Sequence, residues 1–187
     1  DLHGVTGPGG GAASSFTAPG HSSQFTFKAL NAGLYVYHCA TAPVAMHIAN
    51  GMFGAVIIDP PDLPKVDKEY FLVQSEMYLG PQGEPADAAK IAQERDDLVV
   101  FNGYANQYDH DPLTAKTGER VRIWVLVAGP QLGTAFHIVG GQFDTVSAEG
   151  AWLRRAAPGG PDPPGGSRII DLAPGQGGFV ELTFPEA

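Results

Sequence analysis

An all-β fold, built as two Greek-key β-sandwich units, is what this sequence predicts, and three observations carry the prediction. Glycine (25) and proline (16) are abundant among the 187 residues and only 17% are charged. That balance supplies turn geometry and interrupts helices. Short β-like runs recur with turn signals between them, as sandwiches with Greek-key connections require. Only one stretch has convincing helical composition. With 43% hydrophobic residues, the chain can build one large core or two small ones.

Taken in order, Gln24-Phe25-Thr26-Phe27 alternates polar and apolar, the pattern of a half-buried strand. Gly33-Leu34-Tyr35-Val36-Tyr37 is β-branched and aromatic and runs straight into His38-Cys39. Gly54 to Ile58 is continuously apolar, which predicts a strand covered on both faces. Asp59 to Pro64 then carries three prolines, a stiff extended connector. A domain boundary is expected there, giving units 1–60 and 61–187. Glu69 to Glu76 reads as the next strand, and Pro85 to Asp96 (PADAAKIAQERD) as the helix. Strands are expected over Leu98 to Phe101, Arg120 to Val127, Thr134 to Val139 and Phe179 to Phe184, with an irregular loop over Gly150 to Gly166.

Net charge is −9, from 11 basic and 20 acidic residues. No Lys/Arg cluster is present to meet a phosphate backbone, so nucleic acid is not an expected partner. No apolar run is long enough to span a bilayer. With one cysteine, Cys39, the fold cannot rest on internal disulfides. The sequence begins at Asp1 rather than Met, without a signal peptide, and stops in a strand-like run at Ala187. Both ends, and so both units, read as truncated.

The informative segment runs from Tyr37 to Met52. Cys39, His47 and Met52 offer a thiolate, an imidazole and a thioether between two strands. A blue-copper centre takes one Cys and two His with a weak axial Met; the thiolate selects soft copper and the thioether tunes its potential. Taken singly, a buried Cys is a small hydrophobe and a Met fills a core. The joint order and spacing carry the assignment. Neighbours on a strand point to opposite faces, so His38 faces away from a metal at Cys39 and is placed for a second one. His3 is a candidate partner for His38, with Asp1 two residues away on the same face. A metal-bound His beside a carboxylate suits chemistry that consumes protons.

These residues together resemble the first cupredoxin domain of copper nitrite reductases. The segment "CA…APV.MHIANGM" is similar to the family's shorter-loop subgroup, and Ala135-Phe136-His137-Ile138-Val139-Gly140-Gly141 is similar to its second-domain landmark. The resemblance covers essentially the whole chain. It implies two cupredoxin-like domains, type 1 copper on Cys39, His47 and Met52, and type 2 copper on His3 and His38. It also implies a further type 1 His before Asp1 and a further type 2 His after Ala187, so this piece alone is expected to lack full activity. Asp1 and His137 take the catalytic, proton-supplying roles, and Val139 lines the substrate pocket where many members carry Ile. Nitrite is the implied substrate, a cupredoxin or cytochrome c the electron donor, and a homotrimer with interfacial active sites the assembly. The implied location is periplasmic or at the cell surface. His21 and His110 have no such context and are expected to be exposed.

Two rivals belong to other classes. A laccase-like multicopper oxidase needs His-x-His pairs and a His on each side of the Cys, whereas Ala40 follows Cys39. A blue-copper electron carrier accounts for Cys39, His47 and Met52 but leaves His38, His3, Asp1 and the second unit without a role.

Overall fold

The computed structural model describes residues 1–7, 10–155 and 164–184. Its centre is a six-stranded sheet ordered β4 (Leu98–Phe101), β3 (Lys68–Met77), β5 (Arg120–Val127), β10 (Gly177–Thr183), β7 (Thr145–Ala148), β8 (Ala151–Arg154). The β3–β5 pair is parallel and the other neighbours are antiparallel. Two further antiparallel ribbons are present, β1 (Gly33–His38) with β2 (Phe53–Ile58), and β6 (Thr134–His137) with β9 (Ile169–Leu172).

The packing follows from the period of two in β5. Val121, Ile123, Val125 and Val127 project to one face and pack with Ile170 and Leu172 of β9. Trp124, Leu126 and Ala128, on the other face, pack with Leu34 and Val36 of β1 and with Phe179. The central sheet is therefore covered on both sides, an all-β sandwich. Each fully buried Val, Leu, Ile or Phe in these clusters contributes about 1.5–3 kcal/mol.

Charge is also buried here. Arg122, 4% exposed, places Nη2 2.6 Å from Oε1 of Glu181, 1% exposed. Arg120 makes a two-pronged contact with Asp144 and also reaches Glu181. Glu69 accepts from both Arg122 and the Trp124 indole.

Several expectations are corrected. Gln24–Phe27 forms no strand: among the described residues no strand pairs with it, and alternation alone supplies no ladder. The strand covered on both faces is β5, whereas β2 is only partly buried, with Ile57 41% exposed. The helix shortens to α3 (Ala88–Ala92). The Asp87 carboxylate caps its start by accepting from the Ala89 and Lys90 amides, and Glu94 at φ +54° follows its end. The strand expected to reach Val139 stops at His137. Strands β7 and β9 were not anticipated, and β8 lies inside the stretch expected to be irregular. Residues 156–163 of that stretch lie outside the described residues.

The segment between Cys39 and Met52 is not plain loop: it contains helix α2 (Val44–Ala49), which carries His47. Residues 1–3 run along the free edge of β1. Asp1 and His38 exchange main-chain hydrogen bonds of 2.9 and 3.0 Å, and the His3 amide donates to the Val36 carbonyl at 3.0 Å. That register fixes which side chains meet.

Candidate metal centre

In an antiparallel pair, opposed residues project to the same side. Asp1 opposes His38, and His3, two residues on, shares that side. Their donor atoms, one from each residue, all lie within 4.8 Å of one another. The two Nε2 atoms are 3.1 Å apart, and the Asp1 carboxylate is 3.7 Å from His3 Nε2 and 3.8 Å from His38 Nε2. The rings meet edge to face, 72° between planes.

Proton placement decides what this cluster accepts. His38 Nδ1 lies 3.0 Å from the Cys39 carbonyl oxygen, which only accepts, so Nδ1 donates and Nε2 is left with a lone pair. Burial pulls His3 below the ordinary imidazole value, and the neighbouring His38 adds to that effect. Two imidazole edges and a carboxylate thus lie within 4.8 Å of one another. Imidazole with carboxylate suits a divalent transition metal.

The next residue builds a second donor set beside the first. Cys39 Sγ is 3.1 Å from His47 Nδ1. The Cys39 amide donates to the Met52 carbonyl at 2.9 Å, which ties the end of β1 to the start of β2. The Cys39 thiol is held down to about 7, first by its hydrogen bond with His47 and then by the Thr41 backbone. A thiol that ionises this easily is a ready thiolate ligand. Met52 is 52% exposed and lines, with Asp1, His38, Cys39, Thr41 and Phe16, an open cleft of about 950 Å³. The donors present fit copper at both places: sulfur with imidazole at one, imidazoles with a carboxylate at the other.

The remaining site expectations fall elsewhere. His137 ends β6, is exposed, and sets Nδ1 2.6 Å from the Arg168 carbonyl. Val139 is 91% exposed. Neither joins the Asp1–His3–His38 cluster. His21 and His110 are both exposed. Sequence reasoning missed the turn after β9: a Cβ on Gly175 would lie 3.3 Å from His3 Cε1. It also missed Glu149, whose charge acts on His3 from the β7–β8 turn. Pro174-Gly175 reads only as a turn, and nothing local to either residue points to His3.

The chain is 49% identical over 180 residues to the copper-containing nitrite reductase of Neisseria gonorrhoeae, covering 92% of this chain and 46% of that protein. The solved copper nitrite reductase from Nitrosomonas europaea superposes with a TM-score of 0.78 at 31% identity, covering 100% of this chain and 64% of that one. A solved multicopper oxidase superposes with a TM-score of 0.72 at 25% identity, covering 99% and 60%. No family model matches the chain. Fold and donor sets together define a cupredoxin-like β-sandwich of the copper-protein class. Within that class, the chain belongs to the copper-containing nitrite reductase family. It spans about half the length of the curated relatives it matches, and the family implies copper. Among the described residues, no helix is long and apolar enough to cross a membrane.

Proposed function

We propose that this chain carries copper-site residues of an oxidoreductase that reduces nitrite to nitric oxide, the step NO₂⁻ + e⁻ + 2H⁺ → NO + H₂O. The observation that carries the reading is the convergence of Asp1, His3 and His38 within 4.8 Å, one peptide bond from the Cys39–His47 pair. In this reading Cys39, His47 and Met52 hold type 1 copper, and His3 and His38 hold type 2 copper. Copper, when bound, supplies the electron and polarises nitrite. The Cys39–His38 peptide is the shortest covalent link between the two donor sets.

The reaction consumes two protons. Asp1, whose carboxylate lies within 4 Å of both ring nitrogens, is placed to hold one at the oxygen that leaves as water. His137 supplies the other. It lies outside the cluster and is exposed beside Val139 and the half-exposed Ile169. That exposure suits presentation of His137 and Val139 to the active site of a neighbouring copy in a homotrimer. Residues 1–60 and 61–187 then belong to two cupredoxin-like domains. A cupredoxin or cytochrome c donor, a role in denitrification and a periplasmic or cell-surface location complete the reading.

The multicopper oxidase likeness favours a second reading on fold alone, but Ala40 stands where a trinuclear centre needs a histidine after the cysteine. A plain electron carrier leaves the Asp1–His3–His38 cluster idle. The test is nitric oxide production from nitrite by the full-length copper-loaded protein with a reduced donor, wild type against His38→Ala. Loss of nitric oxide in the variant, with its thiolate–copper absorption intact, is the expected result. Intact absorption with no nitric oxide from either protein would overturn the reading in favour of a carrier.

A further inference from the structure

We propose that Asn50, the residue that closes α2, is a positioning residue for the Cys39–His47–Met52 donor set, its side chain bracing the turn between His47 and Met52 against the Ala86 amide. The inference rests on the type 1 copper reading above for its metal and on hydrogen bonds for the brace. Asn50 Oδ1 accepts from the Ala86 amide at 3.0 Å, and Nδ2 donates to the Met46 carbonyl at 2.7 Å. Both ends of the side-chain amide are thus engaged, one within α2 and one on a segment 36 residues away. The Asn50 main-chain amide also donates to the Met46 and His47 carbonyls, both at 3.2 Å.

The three donor residues are linked through this turn. Gly51, at φ +85°, reverses the chain after α2, and the Met52 amide donates back to the His47 carbonyl at 3.1 Å. The Met52 carbonyl accepts in turn from the Cys39 amide at 2.9 Å. The backbone of each donor residue is therefore one hydrogen bond from the next, and Asn50 lies inside the loop that joins His47 to Met52. A shift of that loop moves the imidazole and the thioether relative to the Cys39 sulfur, and groups behind the ligands set a metal site's geometry in this way.

The far side of the brace is firmly mounted. Asp87, next to Ala86, donates its amide to the Tyr78 carbonyl at 2.9 Å and caps α3 with its carboxylate. Lys90 of α3 donates to the Leu79 carbonyl at 2.8 Å and pairs with Asp97. A Cβ on Gly80 would lie 2.6 Å from the Pro85 carbonyl oxygen, so the loop before α3 closes tightly on the end of β3. Asn50 and Ala86 both line an open cleft of about 450 Å³, together with Phe53 and Met77. Packing across an open cleft is loose, which leaves the directional hydrogen bond to fix how α2 sits against this loop.

The test uses the full-length protein as wild type, Asn50→Ala, Ala86→Pro, the double variant and Asn102→Ala. Asn50 is exposed, so its truncation leaves the core intact. Ala86→Pro removes the donated N–H while keeping Asn50 in place. Asn102 makes its hydrogen bonds to Val73, Phe71 and Tyr108, none of them a donor residue. In the metal-free protein, the Met52 amide is expected to exchange with deuterium about 5-fold faster in either single variant. The double variant should be no faster than either. Loaded with copper, the same variants are expected to shift the thiolate–copper absorption band and to bind copper there about 10-fold more weakly. Copper at the His3–His38 site should keep its hyperfine splitting. Asn102→Ala is expected to lower the urea midpoint and leave the band in place. An effect of Asn50→Ala without one of Ala86→Pro would overturn the inference, reducing Asn50 to a local cap of α2. So would additive effects, a band that moves equally in Asn102→Ala, or an Asn50→Ala variant matching wild type in exchange and absorption. The expected exchange pattern in a protein that shows no thiolate–copper band would uphold the brace and sink the copper reading.

Discussion

Glu76 and Cys39 show how different surroundings move two ionisable groups in opposite directions. Glu76 is 3% exposed; one carboxylate oxygen accepts from the Leu132 amide at 2.5 Å and the other has no hydrogen-bond partner among the described residues. Burial raises its carboxyl above the ordinary value, against the backbone hydrogen bonds it receives. The folded state therefore holds this proton more tightly than the unfolded chain does. Stability linked to Glu76 falls as pH rises from the unfolded value, about 4.3, through the higher folded one. Replacing Glu76 with Gln should remove that loss, so the variant's urea midpoint relative to wild type should climb between acidic and neutral pH. A midpoint difference that is flat with pH would contradict the assignment. Cys39, by contrast, is drawn down to about 7 by His47 and the Thr41 backbone, so its readiness to ionise comes from neighbours within eight residues.

At the scale of single elements, β5 does most to organise the molecule. Its alternate residues feed two separate apolar clusters, and the same alternation sets Arg122 among the buried groups on the Trp124 side. Arg122 is tolerated there because Glu181 and Glu69 meet its guanidinium at 2.6 and 3.1 Å. Removing one partner of a buried pair leaves the other charge without full compensation. Arg122→Met should cost about 3 kcal/mol of unfolding free energy by chemical denaturation. A loss below about 1 kcal/mol, the range of exposed pairs, would show that Arg120 alone satisfies Glu181. The segment at residues 1–3, bridged to β1 through Leu2 and Tyr37, is the other decisive element, since its register sets Asp1 and His3 beside His38.

For the whole molecule, the proposed homotrimer makes a further prediction. If His137 serves a neighbouring copy, His137→Ala should abolish most nitrite turnover while leaving both copper signals in place. Mixed trimers of His137→Ala with His38→Ala should then regain activity, because some interfaces pair an intact His38 with an intact His137. Nitric oxide assays on co-refolded mixtures check this. No recovery in verified mixed trimers would place His137 in the same copy's active site, or outside the chemistry.

What the sequence determined by itself was the all-β class, the strands β1 to β6 and β10, and the donor types between Tyr37 and Met52. Those features are local: a Cys, a His and a Met lie on one short stretch, and a strand of period two announces itself in a few residues. The tertiary structure alone decided the rest. Gln24–Phe27 has the right alternation but no strand to pair with, and β2 is apolar yet lies in a ribbon with one face partly open. The Asp1–His3–His38 cluster depends on the register between segments 35 residues apart, and the Gly175 turn comes from more than 130 residues further along the chain. Period and composition state which face a residue prefers. They do not state which distant backbone supplies the facing partner, because that depends on long-range pairing and on the core that closes around it.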